Sequence, residues 1–128
     1  METPLSALST ALTVLLLLEV VPSALAGLTR FPAGIERLDS LTRLGLRQGR
    51  STWVVPALGV LHTAATAALI AGIWHPAYGV AGAAAEAAVF GWVLVRQLLA
   101  GDRGRALFAY ALFLSWALAV LVVSALRL

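Results

Sequence analysis

Four apolar runs, each about the length needed to cross a bilayer, leave this chain few folds. A hydrocarbon core of ~30 Å takes about 20 residues of helix. Leu5 to Gly27, Trp53 to Trp74, Ala77 to Leu99 and Ala106 to Leu126 each supply that length. The runs lack the apolar–polar alternation of an outer-membrane barrel strand, so each is expected to be helical. Hydrophobic residues make up 61% of the 128 and charged residues only 12%, too few to cover a soluble domain of this size. The expected fold is all-α: a single membrane domain over residues 1–128, built as a four-transmembrane-helix bundle.

The first run ends in "SALAG", where Ala24-Leu25-Ala26 has the small-x-small form of a signal-peptidase site. The start, "METPLSALST", carries no basic residue, and Glu19 interrupts the apolar centre. A cleaved signal normally has a basic start and an unbroken centre. The segment is therefore read as a retained helix; cleavage would leave three spans.

The connections differ in length. "HP" alone joins the second and third runs, which predicts a tight antiparallel hairpin, and "AGDRGR" makes a short turn before the fourth. Between the first two runs lies "LTRFPAGIERLDSLTRLGLRQGRST". In it Phe31, Ile35, Leu38 and Leu41 recur at near-helical spacing among Arg37, Asp39 and Arg43. This pattern predicts a short amphipathic helix in the headgroup layer. Gly45 is its expected stop, and Asp39 and Arg43 have the spacing of an i, i+4 ion pair.

The basic residues are all arginine, and their distribution sets topology. Arg30, Arg37, Arg43, Arg47 and Arg50 lie in the first connection, and Arg96, Arg103 and Arg105 flank the third. With four spans these share one side, and only Arg127 falls on the other. The positive side is normally cytoplasmic, so both termini are expected outside the cytoplasm in a multi-pass cell-membrane protein. Arginines placed between apolar spans mark orientation, so nucleic acid is not an expected partner. The expected surroundings are the lipid bilayer, with a membrane protein partner or a second copy of the chain alongside. Small residues repeat every four at Ala83, Ala87 and Gly91 and at Ala64, Ala68 and Gly72. Such rows let helices approach closely within a bundle or toward a partner.

Three ionisable residues fall deep in the runs: Glu19, His62 and Glu86. At ~1.5 Å per residue His62 and Glu86 come near mid-membrane on adjacent antiparallel helices. A carboxylate alone in hydrocarbon is costly, so a partner such as His62 makes physical sense for Glu86; helix rotation, which the sequence does not fix, leaves open whether the two face each other. Phe90, Val93 and Gln97 share the helix face of Glu86, and Thr66 lies one turn from His62. Two readings are open. His62, Glu86 and Gln97 line an intramembrane pocket for a quinone or similar lipophile, with proton exchange; or the pair is a polar clasp between helices. Glu19, one turn from Pro22, is read as satisfying a backbone carbonyl that the proline frees. His75 is read as a solvated turn residue. Two histidines without spaced partners are a poor metal site, and without cysteine the chain carries no thiolate chemistry. No resident cofactor is called for, quinone being the one candidate.

"AGLTRF" (Ala26 to Phe31), "LTRLGL" (Leu41 to Leu46), "PALGVLHTAATAALIAGIWHPAYGVAGA" (Pro56 to Ala83) and "LLAGD" (Leu98 to Asp102) together resemble the DoxX-like family of small four-helix bacterial inner-membrane proteins. The resemblance implies a structural or accessory subunit of a membrane complex related to redox chemistry, without catalytic activity of its own. Members are linked to thiosulfate:quinone oxidoreduction and to membrane-associated thiol or superoxide defence. Many have a Glu where His62 stands and a His near Gln97. Here the carboxylate is Glu86, in the next helix. The alternative is a quinone-binding oxidoreductase subunit using the His/Glu pair. A small-solute carrier ranks last, since no broken or repeated half-helix is evident.

Overall fold

The computed structural model describes residues 4–128, of Ala106 the backbone alone. Residues 1–3 of the expected membrane domain lie outside the described residues. The helices are α1 (Pro4–Thr29), α2 (Pro32–Thr42), α3 (Val54–Gly72), α4 (Pro76–Leu99) and α5 (Arg105–Leu126), with a 3-10 turn at Leu46–Gln48. There is no strand among the described residues. α1, α3, α4 and α5 are each long and apolar enough to cross a membrane. The chain is thus an all-α four-helix bundle and a multi-pass integral membrane protein. Its spans match the expected ones, with ends shifted by one or two residues, the usual uncertainty of a helix end. Pro32 and Pro76 each stand in a first turn, where the missing N–H costs nothing.

The helices form a ring in which α3 lies beside α1 and α4, α4 beside α5, and α5 closes more sparsely on α1. Each contributes a narrow inner stripe. On α1 this is Ser9, Thr13, Leu16, Val20 and Ala24, spaced by three and four as one helix face requires. Leu16, Val20, Leu69, Ala83, Phe90, Ala117 and Val120 make the core. Leu8, Leu18, Leu25, Val60, Phe108 and Val122 point outward. An apolar surface of that extent suits lipid and would aggregate in water.

Close backbone approach occurs at two glycine pairs. A Cβ on Gly27 would meet Gly59 Cα at 2.6 Å, and one on Gly72 would meet Gly79 Cα at 2.5 Å. The expected small-residue rows are used only in part inside the bundle. Ala83 and Gly72 are buried, whereas Ala64 faces out, and a Cβ on Gly91 would meet only Leu114 Cδ1 at 4.0 Å.

α2 lies where expected, but it stops before Gly45. Arg43 takes the left-handed conformation (φ 54°) directly after Thr42 and ends the helix. Gly45 (φ 83°) opens the following 3-10 turn instead. The expected Asp39–Arg43 ion pair does not form, because both partners are engaged elsewhere. Asp39 accepts hydrogen bonds from the backbone N–H groups of Gly45 (2.9 Å), Leu46 (3.0 Å) and Arg47 (3.3 Å). Arg43 instead grips Asp102 in a two-pronged ion pair, Nη2–Oδ1 2.7 Å and Nη1–Oδ2 3.2 Å. Arg96 Nε donates to the Thr42 carbonyl at 2.9 Å. These bonds place the first and third connections at one end of the bundle. Arg127 lies at the other end, donating to Ser9 Oγ and to the carbonyls of Gly72 and Ile73.

The fastening of α2 is expected to fail in acid. For Asp39, desolvation pushes the carboxyl pKa up, but the N–H groups of Leu46, Arg47 and Gly45 together hold it below the usual carboxylate range. The hydrogen bonds and charge of Arg43 likewise hold Asp102 low. A depressed folded pKa gives stability that is complete above the ordinary value of about 3.9 and is lost as pH falls through the lower folded value. A spin label on Ser40→Cys is therefore expected to gain mobility below about pH 4. Asp39→Asn with Asp102→Asn should produce the same gain at neutral pH. Unchanged mobility in both cases would refute this account of the anchor.

Candidate functional site

α3 and α4 are held together by small residues. A Cβ on Gly82 would meet Leu69 Cγ at 3.0 Å and the Ala65 carbonyl at 3.1 Å. That proximity brings His62 and Glu86 into contact, with Nδ1 and Oε1 2.8 Å apart. The pair is shielded: the His62 side chain is 7% exposed and that of Glu86 0%. Glu86 Oε2 has no partner.

The proton inventory of this dyad follows from its surroundings. Two of its arrangements carry no net charge, which an apolar surrounding tolerates best. There are two such states, imidazolium with carboxylate and imidazole with carboxylic acid. In both, Nδ1 and Oε1 share one proton and Nε2 carries another. Nε2 is then a donor. Removing one proton leaves Nδ1–H on the carboxylate and makes Nε2 an acceptor. A carboxylate on one imidazole nitrogen thus sets what the other can do.

His62 lines a cavity of about 570 Å³ between α1, α2, α3, α4 and α5. Its Nδ1 is taken by Glu86, so Nε2 is the nitrogen available on the cavity side. Leu58, Val89, Phe90 and Val93 make the apolar walls. Tyr110 closes one side, edge-on to Phe90 at 6.2 Å and to Phe113 at 5.4 Å. α2 adds Gly34, Ile35 and Leu38 to the lining, and the exposed Arg37 lines it as well.

Gln97 does not join His62 and Glu86. It shares the buried α4 face of Glu86, but at ~1.5 Å per residue it is about 16 Å further along the helix. It does not line the His62 cavity. Fully buried, its side-chain amide forms no hydrogen bond. Thr66 turns back to its own helix, donating to the His62 carbonyl at 2.7 Å. His75 precedes α4 at the exposed turn, its ring 6.2 Å from that of Tyr78. Among the described residues no group of three His, Asp or Glu is placed to hold a metal ion.

Glu19, Ser23, Arg37 and Tyr110 belong to the cavity, and the sequence reading gave them no such place. The Glu19 carboxyl is hydrogen-bonded by Ser23 Oγ at 3.5 Å, and the same hydroxyl donates to the Glu19 carbonyl at 3.0 Å. Arg37 lines the same cavity as Glu19. Periodicity held a clue, since Glu19 and Ser23 flank the buried α1 positions Leu16, Val20 and Ala24 at helical spacing. No comparable signal singles out Arg37 or Tyr110, whose places depend on how α2 and α5 rotate.

No protein-family model matches the chain, and no curated protein and no solved structure matches it.

Proposed function

We propose that this integral membrane protein is an accessory subunit of a membrane redox complex. In this role it holds a quinone-class lipophile with the ligand's polar head at His62. The observation that carries the reading is a carboxylate-backed imidazole, Nδ1–Oε1 2.8 Å, on the wall of an apolar cavity of about 570 Å³. That volume falls in the range of small-molecule sites, and one or two polar groups in an apolar slot suffice to orient a ligand. The proton inventory fits both forms of such a head. Nε2–H donates to a quinone carbonyl, and the deprotonated Nε2 accepts from a quinol hydroxyl. Electrons come from, and return to, a partner subunit in this reading. The resemblance of the central hairpin to DoxX-like proteins supports the accessory role. The separation of eight arginines from Arg127 across the bundle supports a cytoplasmic Arg-rich side with both termini outside.

Titration of the detergent-solubilised protein with a short-chain quinone tests the reading. Saturable binding is expected, weakened roughly tenfold by His62→Leu, as the loss of one buried hydrogen bond to the head implies. Gln97→Leu, outside the cavity, should bind as the parent does. Absence of saturable binding, or equal binding by His62→Leu, would contradict it. A clasp between α3 and α4 is the second reading, favoured by the complete burial of Glu86. It predicts a protein that loses stability in His62→Leu and binds no quinone at all.

A further inference from the structure

The wall of the His62 cavity is uneven. The residues that α3, α4 and α5 contribute to it are buried or half-buried. Every exposed residue of the lining belongs to α1, to α2 or to the turn between them: Pro22, Leu25, Thr29, Phe31, Ala33 and Arg37. All but Arg37 are uncharged, and Leu25 and Phe31 are 59% and 57% exposed. Pro22, Leu25 and Thr29 share one helix face, in a helix long and apolar enough to cross a membrane. Leu18, pointing outward, continues that face beyond the cavity. α2 folds back on the flank of α1, where a Cβ on Gly34 would meet Ala26 Cβ at 3.0 Å. The level of this rim follows from the close approach of Gly27 and Gly59. α1 and α3 run antiparallel, so His62, three residues beyond Gly59, stands about level with Ala24. The α1 part of the rim therefore spans the level of the dyad. His62 itself lies near the midpoint of α3, a helix of 19 residues.

We infer that the cavity opens sideways into the bilayer through this rim, and that its ligand is a lipid with a neutral, hydrogen-bonding head and a single apolar tail. The head meets His62 and the tail leaves between α1 and α2. The inference rests on the ligand-site reading for His62 as the partner of the head, and deepens it by naming the ligand class and its route. A cavity of about 570 Å³ is the size of a small-molecule site, so it holds a head and only the first part of a long tail. The rest of the tail needs an apolar exit, and Pro22, Leu25, Phe31 and Ala33 supply one. Depth selects the head. A phosphate or carboxylate would have to be carried to the middle of the membrane, where a charge is expensive. It would also face the carboxyl groups of Glu86 and Glu19, while Arg37, the one cation of the lining, lies on its exposed side. A neutral carbonyl or hydroxyl needs only the one hydrogen bond that His62 Nε2 offers.

Photolabelling in phosphatidylcholine nanodiscs tests the mouth and the head separately. Two probes share a decyl tail and a diazirine beside the head; one head is a primary alcohol, the other a phosphate. The alcohol probe is expected to label the buried wall residues His62, Phe90 and Val93 saturably. The phosphate probe should label them roughly a hundredfold less, as the penalty for a charge at mid-bilayer implies. Leu25→Trp with Thr29→Trp fills the rim by changing exposed side chains alone, so this variant should melt as the parent does and lose most of the wall label. Leu18→Trp, on the same face but outside the lining, should keep it. No wall label from the alcohol probe, equal wall label from both heads, or a wall label indifferent to the rim would each overturn the inference. Neither probe is a quinone. Saturable, rim-dependent wall labelling by the alcohol alongside a failed quinone titration would uphold this inference and contradict the quinone reading.

Discussion

Replacing Gly59 with leucine is expected to cost the protein its fold in detergent. Gly59 sits where α3 crosses α1. A Cβ there would fall 2.6 Å from the Leu28 backbone nitrogen and 2.7 Å from the Gly27 carbonyl carbon. The obstructing atoms are backbone, so no rotamer change relieves the clash and the helices must part. Overpacking a tight interface costs about 1–3 kcal/mol for added methylenes alone. Here the displaced contact also tilts the wall of the cavity, because Gly27 and Leu58 both line it. A fall in Tm of about 10 °C or an aggregated elution profile is expected, on a scale of some 4 °C per kcal/mol for a domain of this size. Gly91→Ala, whose Cβ would find only Leu114 Cδ1 at 4.0 Å, should melt like the parent. Equal Tm values for all three proteins would show that helix proximity is not what holds α1 on α3.

The second large effect is expected in a double-mutant cycle at the dyad. His62→Leu leaves Glu86, 0% exposed, without the partner of its Oε1 as well as of Oε2. Glu86→Leu leaves Nδ1 unsatisfied. Each single change strands a buried polar group, which costs about 1–3 kcal/mol. The double replacement strands neither, so it should destabilise by less than the two singles together. The coupling expected is about 1–2 kcal/mol, the upper part of the range for polar contacts between membrane helices. Unfolding in a graded denaturing detergent reads it out. Additive effects would mean that the 2.8 Å contact contributes no stability.

Much of the architecture was legible because lipid imposes it. The four spans follow from run length, and "HP" could only be a tight turn. Even the short helix between α1 and α3 announced itself through Phe31, Ile35, Leu38 and Leu41. That His62 and Glu86 lie at one level on neighbouring helices follows from depth and adjacency, but their contact depends on helix rotation, which the structure supplies. Helix rotation was the harder quantity. Residues sharing a face with Glu86 include Gln97, yet axial distance separates it from the cavity. Pro22, one turn from Glu19, suggests a backbone role for that carboxyl, and nothing local indicates that it also lines a cavity. Arg37 reaches the same cavity from a separate helix whose docking is set by Arg43–Asp102 and Arg96–Thr42. The i, i+4 spacing of Asp39 and Arg43 was misleading for the same reason. A long-range carboxylate gave Arg43 a two-pronged partner, and three backbone N–H groups gave Asp39 a better one. Local spacing cannot compete with partners that only tertiary packing supplies.

The lipid-facing groove lined by Trp53, Ala57, Ala88 and Trp92 offers a lipophile a second, wholly apolar seat, and a photoreactive quinone would discriminate the two. Cross-linking followed by peptide mapping should place the label on α1 around Ser23 or on α3 around His62, and competition with unmodified quinone should remove it. A label confined to Trp53 and Trp92, or one that excess quinone does not displace, would contradict a ligand site at the His62–Glu86 dyad.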